Sequence, residues 1–125
     1  MSEEQSAVQQ LQWAVQALAA SAAAQLTMYP EFVCPACELV SDFDNWSRAT
    51  TCRSSPGITE EQRAALQAMQ SWIESMEPTA CFSGQSSLER QDWEHLRGLA
   101  AVCLAAFRWE SALPPSGRST YVQGV

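Results

Sequence analysis

Two cysteines in a CxxC motif are the residues of this sequence whose types and spacing could do chemistry. The motif reads Cys34-Pro35-Ala36-Cys37 and stands where a helical pattern begins. Unpaired amides and the positive dipole end at the start of a helix stabilise a thiolate at Cys34. One interpretation of the motif is therefore a thiol redox pair, with Cys34 as the attacking thiolate and Cys37 as the resolving thiol.

Two other interpretations of this motif are open from the sequence. Free cysteine is among the most buried residue types, so both thiols can be small apolar groups of the core, which is the interpretation that we favour. The pair could also contribute to a structural metal site, but zinc needs four ligands and strong zinc signatures have two tight pairs. We therefore expect no metal and no cofactor, with redox chemistry or a metal at Cys34 and Cys37 as the alternatives.

Acidic residues are concentrated in the first part of the chain. The 125 residues include 14 acidic and 7 basic side chains, all of the latter arginine, for a net charge of -7. Residues 1–47 contain six acidic residues and no basic one, so they carry -6 of this charge. Nucleic-acid binding is not expected, because phosphate contacts need a basic stripe. A basic protein partner is favoured, since complementary charge speeds encounter and fixes register.

The docking face predicted for this partner is acidic and has one aromatic anchor. It comprises Glu31, Glu38, Asp42 and Asp44, and Trp13 lies about 160° from the apolar stripe of its own helix, near solvent. Small acidic bacterial immunity and inhibitor proteins are analogous in size and charge. The function that we expect is therefore non-catalytic: an adaptor, inhibitor or immunity-like module that binds a basic protein.

Two segments in the first half of the chain have the helical periodicity needed to position these residues. Apolar side chains recur at spacings of three and four over residues 3–27, and Pro30 lies just beyond this pattern. A second stripe begins at Cys34 and ends near Cys52, with Pro35 at the first helical position, where its missing N–H costs nothing. The CxxC motif is therefore predicted at the start of the second helix.

Two more helices are predicted in the second half of the chain. Thr59 and Gln62 have the residue types and spacing of a capping box, and Pro78 ends the helix that follows. Ser86 and Glu89 repeat the capping-box pattern before a last helix that reaches about residue 109. No alternating strand pattern is present, so the thioredoxin setting of a CxxC motif, a βαβ unit, is not expected.

These four helices predict an all-α fold class. Amphipathic helices joined by short connections favour a four-helix up-down-up-down antiparallel bundle. A chain of 125 residues fits one domain. We assign residues 1–110 to the bundle and residues 111–125 to a short irregular tail that is flexible or loosely docked. A leftover apolar stripe on such a bundle allows a homodimer.

Cysteine number and apolar segments indicate the compartment. Five cysteines are an odd number, so complete pairing in a secreted framework would leave one thiol over. Glu3 and Glu4 stand where a secretory signal would carry positive charge. The alanine-rich run over residues 17–24 is far shorter than the ~20 residues that span a bilayer. We therefore expect a cytoplasmic protein without a membrane segment.

Overall fold

The computed structural model describes residues 3–30, 33–52, 57–82 and 85–115. These residues form helices and contain no strand, so the predicted all-α fold class is confirmed. None of the described helices combines the length and apolarity needed to cross a bilayer. The helices are α1 (Glu3–Ala19), α2 (Ala22–Thr27), α3 (Pro35–Cys52), α4 (Glu60–Ser75), α5 (Pro78–Cys81) and α6 (Gln91–Phe107), with a 3₁₀ turn (Gln85–Glu89) between α5 and α6.

The core is built around α1 and α6. Helix α1 packs along both α3 and α6, and α4 packs along α6, whereas α3 and α4 touch over a much smaller area. Burying a large apolar side chain stabilises a fold by about 1.5–3 kcal/mol. The core that α3 shares with α1 therefore holds α3, with its first turn, in place. The largest side chains without exposed surface are Leu11, Leu18, Leu39, Phe43, Met69, Leu88, Trp93 and Leu96.

The prediction of a single helix over residues 3–27 is wrong, because the chain leaves the helical path between α1 and α2. Ser21 has an extended backbone, with φ -65° and ψ 159°. Its hydroxyl oxygen accepts a hydrogen bond from the Ala24 amide at 3.2 Å. Serine is a favoured N-cap because its side chain satisfies one of the unpaired amides at a helix start, and here it begins the new helix α2.

A buried glutamine stabilises the break between α1 and α2. Gln25 has no exposed surface, and its Nε2 donates to the carbonyls of Ala17 and Leu18 in the last turn of α1, both at 3.1 Å. Its Oε1 accepts from Nε and Nη2 of Arg97 in α6, at 3.2 and 3.0 Å. Arg97 also donates to the Leu88 carbonyl. The side chain of Gln25 therefore satisfies carbonyls that a helix end leaves without helical partners.

The predicted starts of α3 and α4 are confirmed. Helix α3 has Pro35 as its first residue, as the CxxC pattern indicates. Before α4, the Thr59 hydroxyl accepts from the Gln62 amide at 3.1 Å, and Gln62 Oε1 accepts from the Thr59 amide at 3.0 Å. Both halves of the capping box are therefore present.

The predicted capping box at Ser86 and Glu89 is wrong. Both residues lie inside the 3₁₀ turn, and α6 begins only at Gln91, where Arg90 precedes it without a side-chain cap. Leu88, in the same turn, is fully buried, so burial in the core holds this segment out of α6. A local capping pattern is overridden here by tertiary packing.

The chain beyond α6 stays in contact with the helices at its first residues. The ring of Trp109 stacks on that of Phe107, with centroids 4.2 Å apart. The carbonyl of Glu110 accepts from Gln16 Nε2 at 3.0 Å, which ties this segment to α1. Of the predicted tail, residues 111–125, the structure describes only 111–115, and residues 116–125 lie outside the described part.

Candidate functional site

The CxxC motif lies at the start of α3, and Cys34 caps the helix. The Cys34 carbonyl accepts from the Glu38 amide at 3.0 Å, and Cys34 Sγ accepts from the Cys37 amide at 3.4 Å. A side chain that accepts from the third residue of a helix has the role of an N-cap. A thiolate would make this bond more strongly than a thiol, because charged acceptors form stronger hydrogen bonds.

Both thiols of the motif reach the same main-chain oxygen. Cys34 Sγ lies 3.7 Å and Cys37 Sγ 3.5 Å from the carbonyl oxygen of Phe82, the residue directly after α5. Because a carbonyl oxygen only accepts, each of these bonds requires a proton on the sulfur. The Phe82 carbonyl therefore joins the reduced motif to the segment between α4 and α6. The role of Phe82 could not be predicted from the sequence, since a main-chain oxygen is present at every residue and leaves no signal in residue type.

The two thiols differ in exposure, and the surroundings of Cys37 disfavour its thiolate. Cys37 is exposed and Cys34 is half-buried, so the expectation that both thiols are buried groups of the core is wrong. The pKa of Cys37 is raised from 9.0 to about 11. Desolvation is the largest cause, and the hydrogen bond to Cys34 and the charges of Cys34 and Glu38 act in the same direction. At neutral pH the proton therefore stays on Cys37, which suits a resolving thiol better than an attacking one.

A third thiol, Cys81, directly precedes the shared oxygen in sequence. Cys81 is fully buried, and its Sγ donates to Asp92 Oδ2 at 3.2 Å. Burial is the main cause that raises the pKa of Cys81, followed by the hydrogen bond to Asp92. Trp93 Nε1 donates to the Cys81 carbonyl at 2.9 Å, and the Trp93 ring meets Phe82 edge-on at 6.2 Å. The α5 segment is therefore held by the CxxC motif and by α6.

Within the described part of the chain, no group of three or more His, Cys, Asp or Glu side chains is arranged to hold a metal ion. The metal alternative for Cys34 and Cys37 therefore lacks a third ligand among these residues. Cys81 donates to Asp92 instead, and Cys103 is fully buried in α6, where burial raises its pKa to about 12.

The acidic docking face is only partly brought together by the structure. Glu38, Asp42 and Asp44 lie on α3 with partly exposed side chains, and Glu31 lies outside the described residues. Asp44 Oδ1 is 3.0 Å from Nε of Arg48, one turn further along the helix. The first arginine of the chain therefore pairs with Asp44, so the stretch without a base has one directly beside it.

The predicted aromatic anchor, Trp13, is partly exposed, and the single histidine, His95, is exposed. Trp13 is half-buried on α1, the helix that packs along α3. His95 is exposed on α6, and its ring lies 4.1 Å from that of Trp72, at a tilt of 48°.

The fold and the site together define a small all-α protein with two thiols at the start of a long helix. Comparison of the chain with protein families, with characterised proteins and with solved structures finds no match. The features that bear on function are therefore the geometry around Cys34, Cys37 and Phe82 and the charges along α3.

Proposed function

We propose that this protein is a thiol redox protein in which Cys34 and Cys37 exchange with a disulfide substrate. The observation that carries the proposal is the Cys37 amide, which donates to Cys34 Sγ at 3.4 Å. A Cys34 thiolate would accept this bond, and cysteines at helix starts in CxxC motifs are reactive in that form. The partial exposure of both thiols gives a substrate disulfide access to them.

The exchange has two steps. The Cys34 thiolate attacks one sulfur of the substrate disulfide, whose S–S bond breaks, and the other substrate sulfur leaves as a thiolate that takes a proton from solvent. Cys37 then gives its proton to solvent and attacks the Cys34 sulfur of the mixed disulfide, which releases the second substrate thiolate. The substrate disulfide gains two electrons, and the two cysteines lose two as they join.

Oxidised glutathione tests this proposal, with the products mapped by mass spectrometry. The wild type should form a Cys34–Cys37 disulfide, and Cys37→Ser should stop at a mixed disulfide between Cys34 and glutathione. Cys34→Ser should react far more slowly, because the remaining thiol keeps its proton. Cys103→Ala is the matched control, since it removes a buried thiol outside the motif. If Cys34 and Cys37 both stay reduced in a glutathione buffer that oxidises ordinary dithiols, the redox function is refuted.

A second candidate function is the non-catalytic binding of a basic protein, as an adaptor, inhibitor or immunity-like module. It is favoured by Glu38 and Asp42, which lie one turn apart on α3 with partly exposed side chains, in a stretch without a base before Arg48. Complementary charge of this kind speeds encounter and fixes register. The proposed face also includes Asp44, with Glu31 and Trp13 as further members.

Charge reversal tests the docking face. Asp42→Arg with Asp44→Arg should weaken the capture of a basic partner isolated on the wild type, and the binding should fall with salt. Reversal of the exposed residues Glu74 and Glu89 is the matched control, because it changes the net charge equally on other elements. Equal binding by the two double variants, with helicity intact, would contradict a specific acidic face.

We also propose that the long helices α1, α3, α4 and α6 form an up-down-up-down antiparallel bundle over residues 1–110, in a cytoplasmic protein that can form a homodimer. Support for the bundle comes from the packing of α1 with α3 and α6 and from a hydrogen bond between Gln70 Nε2 and Ser47 Oγ, at 2.7 Å, which joins α4 to α3. Distances between spin labels at the helix ends test the arrangement, and sedimentation tests the dimer. Cys34, Cys37, Cys81 and Cys103 are free thiols, which suits a reducing compartment.

A further inference from the structure

We propose that the main-chain carbonyl of Phe82 is a positioning group for the redox pair, and that it couples the state of Cys34 and Cys37 to the segment 77–82. This inference rests on the proposed function, because it requires that the two thiols join as a disulfide. The observation behind it is the convergence of two S–H donors on one oxygen, at 3.7 and 3.5 Å.

Only the reduced pair can make these two bonds. Each thiol has a proton to donate, whereas the sulfurs of a disulfide have none. When Cys34 and Cys37 join, both protons go to solvent and the electrons go to the substrate disulfide, so the Phe82 oxygen loses both donors. The oxygen then needs another donor, so the segment that carries it moves toward solvent or toward another donor.

The segment that carries this oxygen has little stability of its own. Helix α5 has four residues, far fewer than an isolated helix needs in water. It is held by a cap, in which Glu77 Oε2 accepts from the Ala80 amide at 2.8 Å, and by the contacts of Cys81 with α6. The thiols of the CxxC motif add two further bonds. The loss of two bonds therefore acts on an element that depends on its tertiary contacts.

The coupling is reciprocal. If the Phe82 carbonyl favours the reduced pair, a change that loosens the segment 77–82 must favour the disulfide by the same factor. The reduction potential of Cys34 and Cys37 is then set in part by α5, and a looser α5 lowers it. A merely structural role of α5 would leave the potential unchanged.

Glu77→Ala tests this coupling, because it removes the cap of α5 without touching either thiol. In a glutathione redox buffer, the equilibrium should shift about threefold or more toward the Cys34–Cys37 disulfide. Glu77→Gln keeps an oxygen that can accept from the Ala80 amide and removes only the charge, so it should keep the wild-type equilibrium. Glu74→Ala is the control for an exposed acidic residue. A Glu77→Ala equilibrium equal to that of the wild type, or an equal shift in Glu77→Gln, would overturn the inference.

Hydrogen exchange measures the response of the segment to oxidation. The amides of Cys81 and Phe82 donate to the Glu77 and Pro78 carbonyls at 2.9 and 3.0 Å. They should exchange about fivefold or more faster in the oxidised protein than in the reduced one. The double variant with serine for both cysteines of the motif keeps two hydroxyl donors and forms no disulfide, so oxidant should leave its exchange unchanged.

The two proposals fail in different ways. If glutathione never oxidises Cys34 and Cys37 to a disulfide, the redox function itself fails. If the disulfide forms while exchange at Cys81 and Phe82 stays as in the reduced protein, the redox function stands and the role of the Phe82 carbonyl is refuted.

Discussion

Alkylation of Cys37 at pH 8 should be about a hundred times slower in the folded protein than expected for an ordinary thiol. Desolvation, the hydrogen bond to Cys34 and the charges of Cys34 and Glu38 raise the pKa of Cys37 from 9.0 to about 11. The thiolate is the form that reacts, and below the pKa each unit changes its population tenfold. A pKa that is higher by about two units therefore leaves Cys37 with about one hundredth of the thiolate that an ordinary thiol has at pH 8.

Iodoacetamide labelling with peptide mapping gives a separate rate for each cysteine as the pH is raised. The rate at Cys37 should follow an apparent pKa near 11 in the folded protein and near 9.0 in urea, where the surrounding structure is lost. Cys34→Ala removes the hydrogen bond and the charge of its partner but leaves the desolvation. The pKa of Cys37 should therefore fall in this variant and stay above 9.0.

Two results would refute this reasoning. A folded protein whose Cys37 reacts as fast as in urea would show that its neighbours do not disfavour the thiolate. A Cys34→Ala variant with the wild-type profile would show that the two thiols of the motif do not interact. Cys103→Ala is the matched control, and its Cys37 profile should equal that of the wild type.

Gln25→Leu should lower the free energy of unfolding by about 3–5 kcal/mol in urea denaturation, because two carbonyls of α1 and the guanidinium of Arg97 lose their partners. Gln67→Leu, at an exposed position, is the control, and a loss below about 1 kcal/mol would contradict the network. The free energy of unfolding should also fall as the pH rises above about 9, because burial raises the pKa of Cys103 to about 12 and only the unfolded chain gives up this proton. Cys103→Ala should reduce this dependence in denaturation curves without abolishing it, because the pKa values of Cys37 and Cys81 are also raised, and wild-type curves unchanged from about pH 8 to about pH 11 would argue against it.

Local chemistry made part of the fold predictable from the sequence. The starts of α3 and α4 follow from a proline at the first helical position and from a threonine three residues before a glutamine. The same reasoning failed at Ser86 and Glu89, whose spacing is identical, because Leu88 between them is buried in the core. A capping pattern indicates where a helix can begin, and long-range packing decides whether it does.

Long-range polar contacts explain why the break between α1 and α2 was not predictable. The apolar stripe continues through Leu18 and Leu26 at helical spacing, so periodicity alone favours one helix. Ser21 is a possible N-cap, but serine also occurs within helices. The partner that holds Gln25 at the break is Arg97, which is 72 residues away in sequence. The same applies to the candidate site, where Phe82 is 45 and 48 residues from the two thiols it contacts.

Glu38 belongs to both candidate functions, because its charge helps to raise the pKa of Cys37 and its side chain lies on the acidic face. A substitution at Glu38 therefore changes the thiol chemistry and the docking surface together. Asp42 and Asp44 have no part in raising the pKa of Cys37, so their reversal acts on docking without this effect. The CxxC motif and the acidic face thus need not be alternatives: a basic protein with a disulfide would meet the requirements of both, because the charges on α3 would attract it to the thiols of the motif.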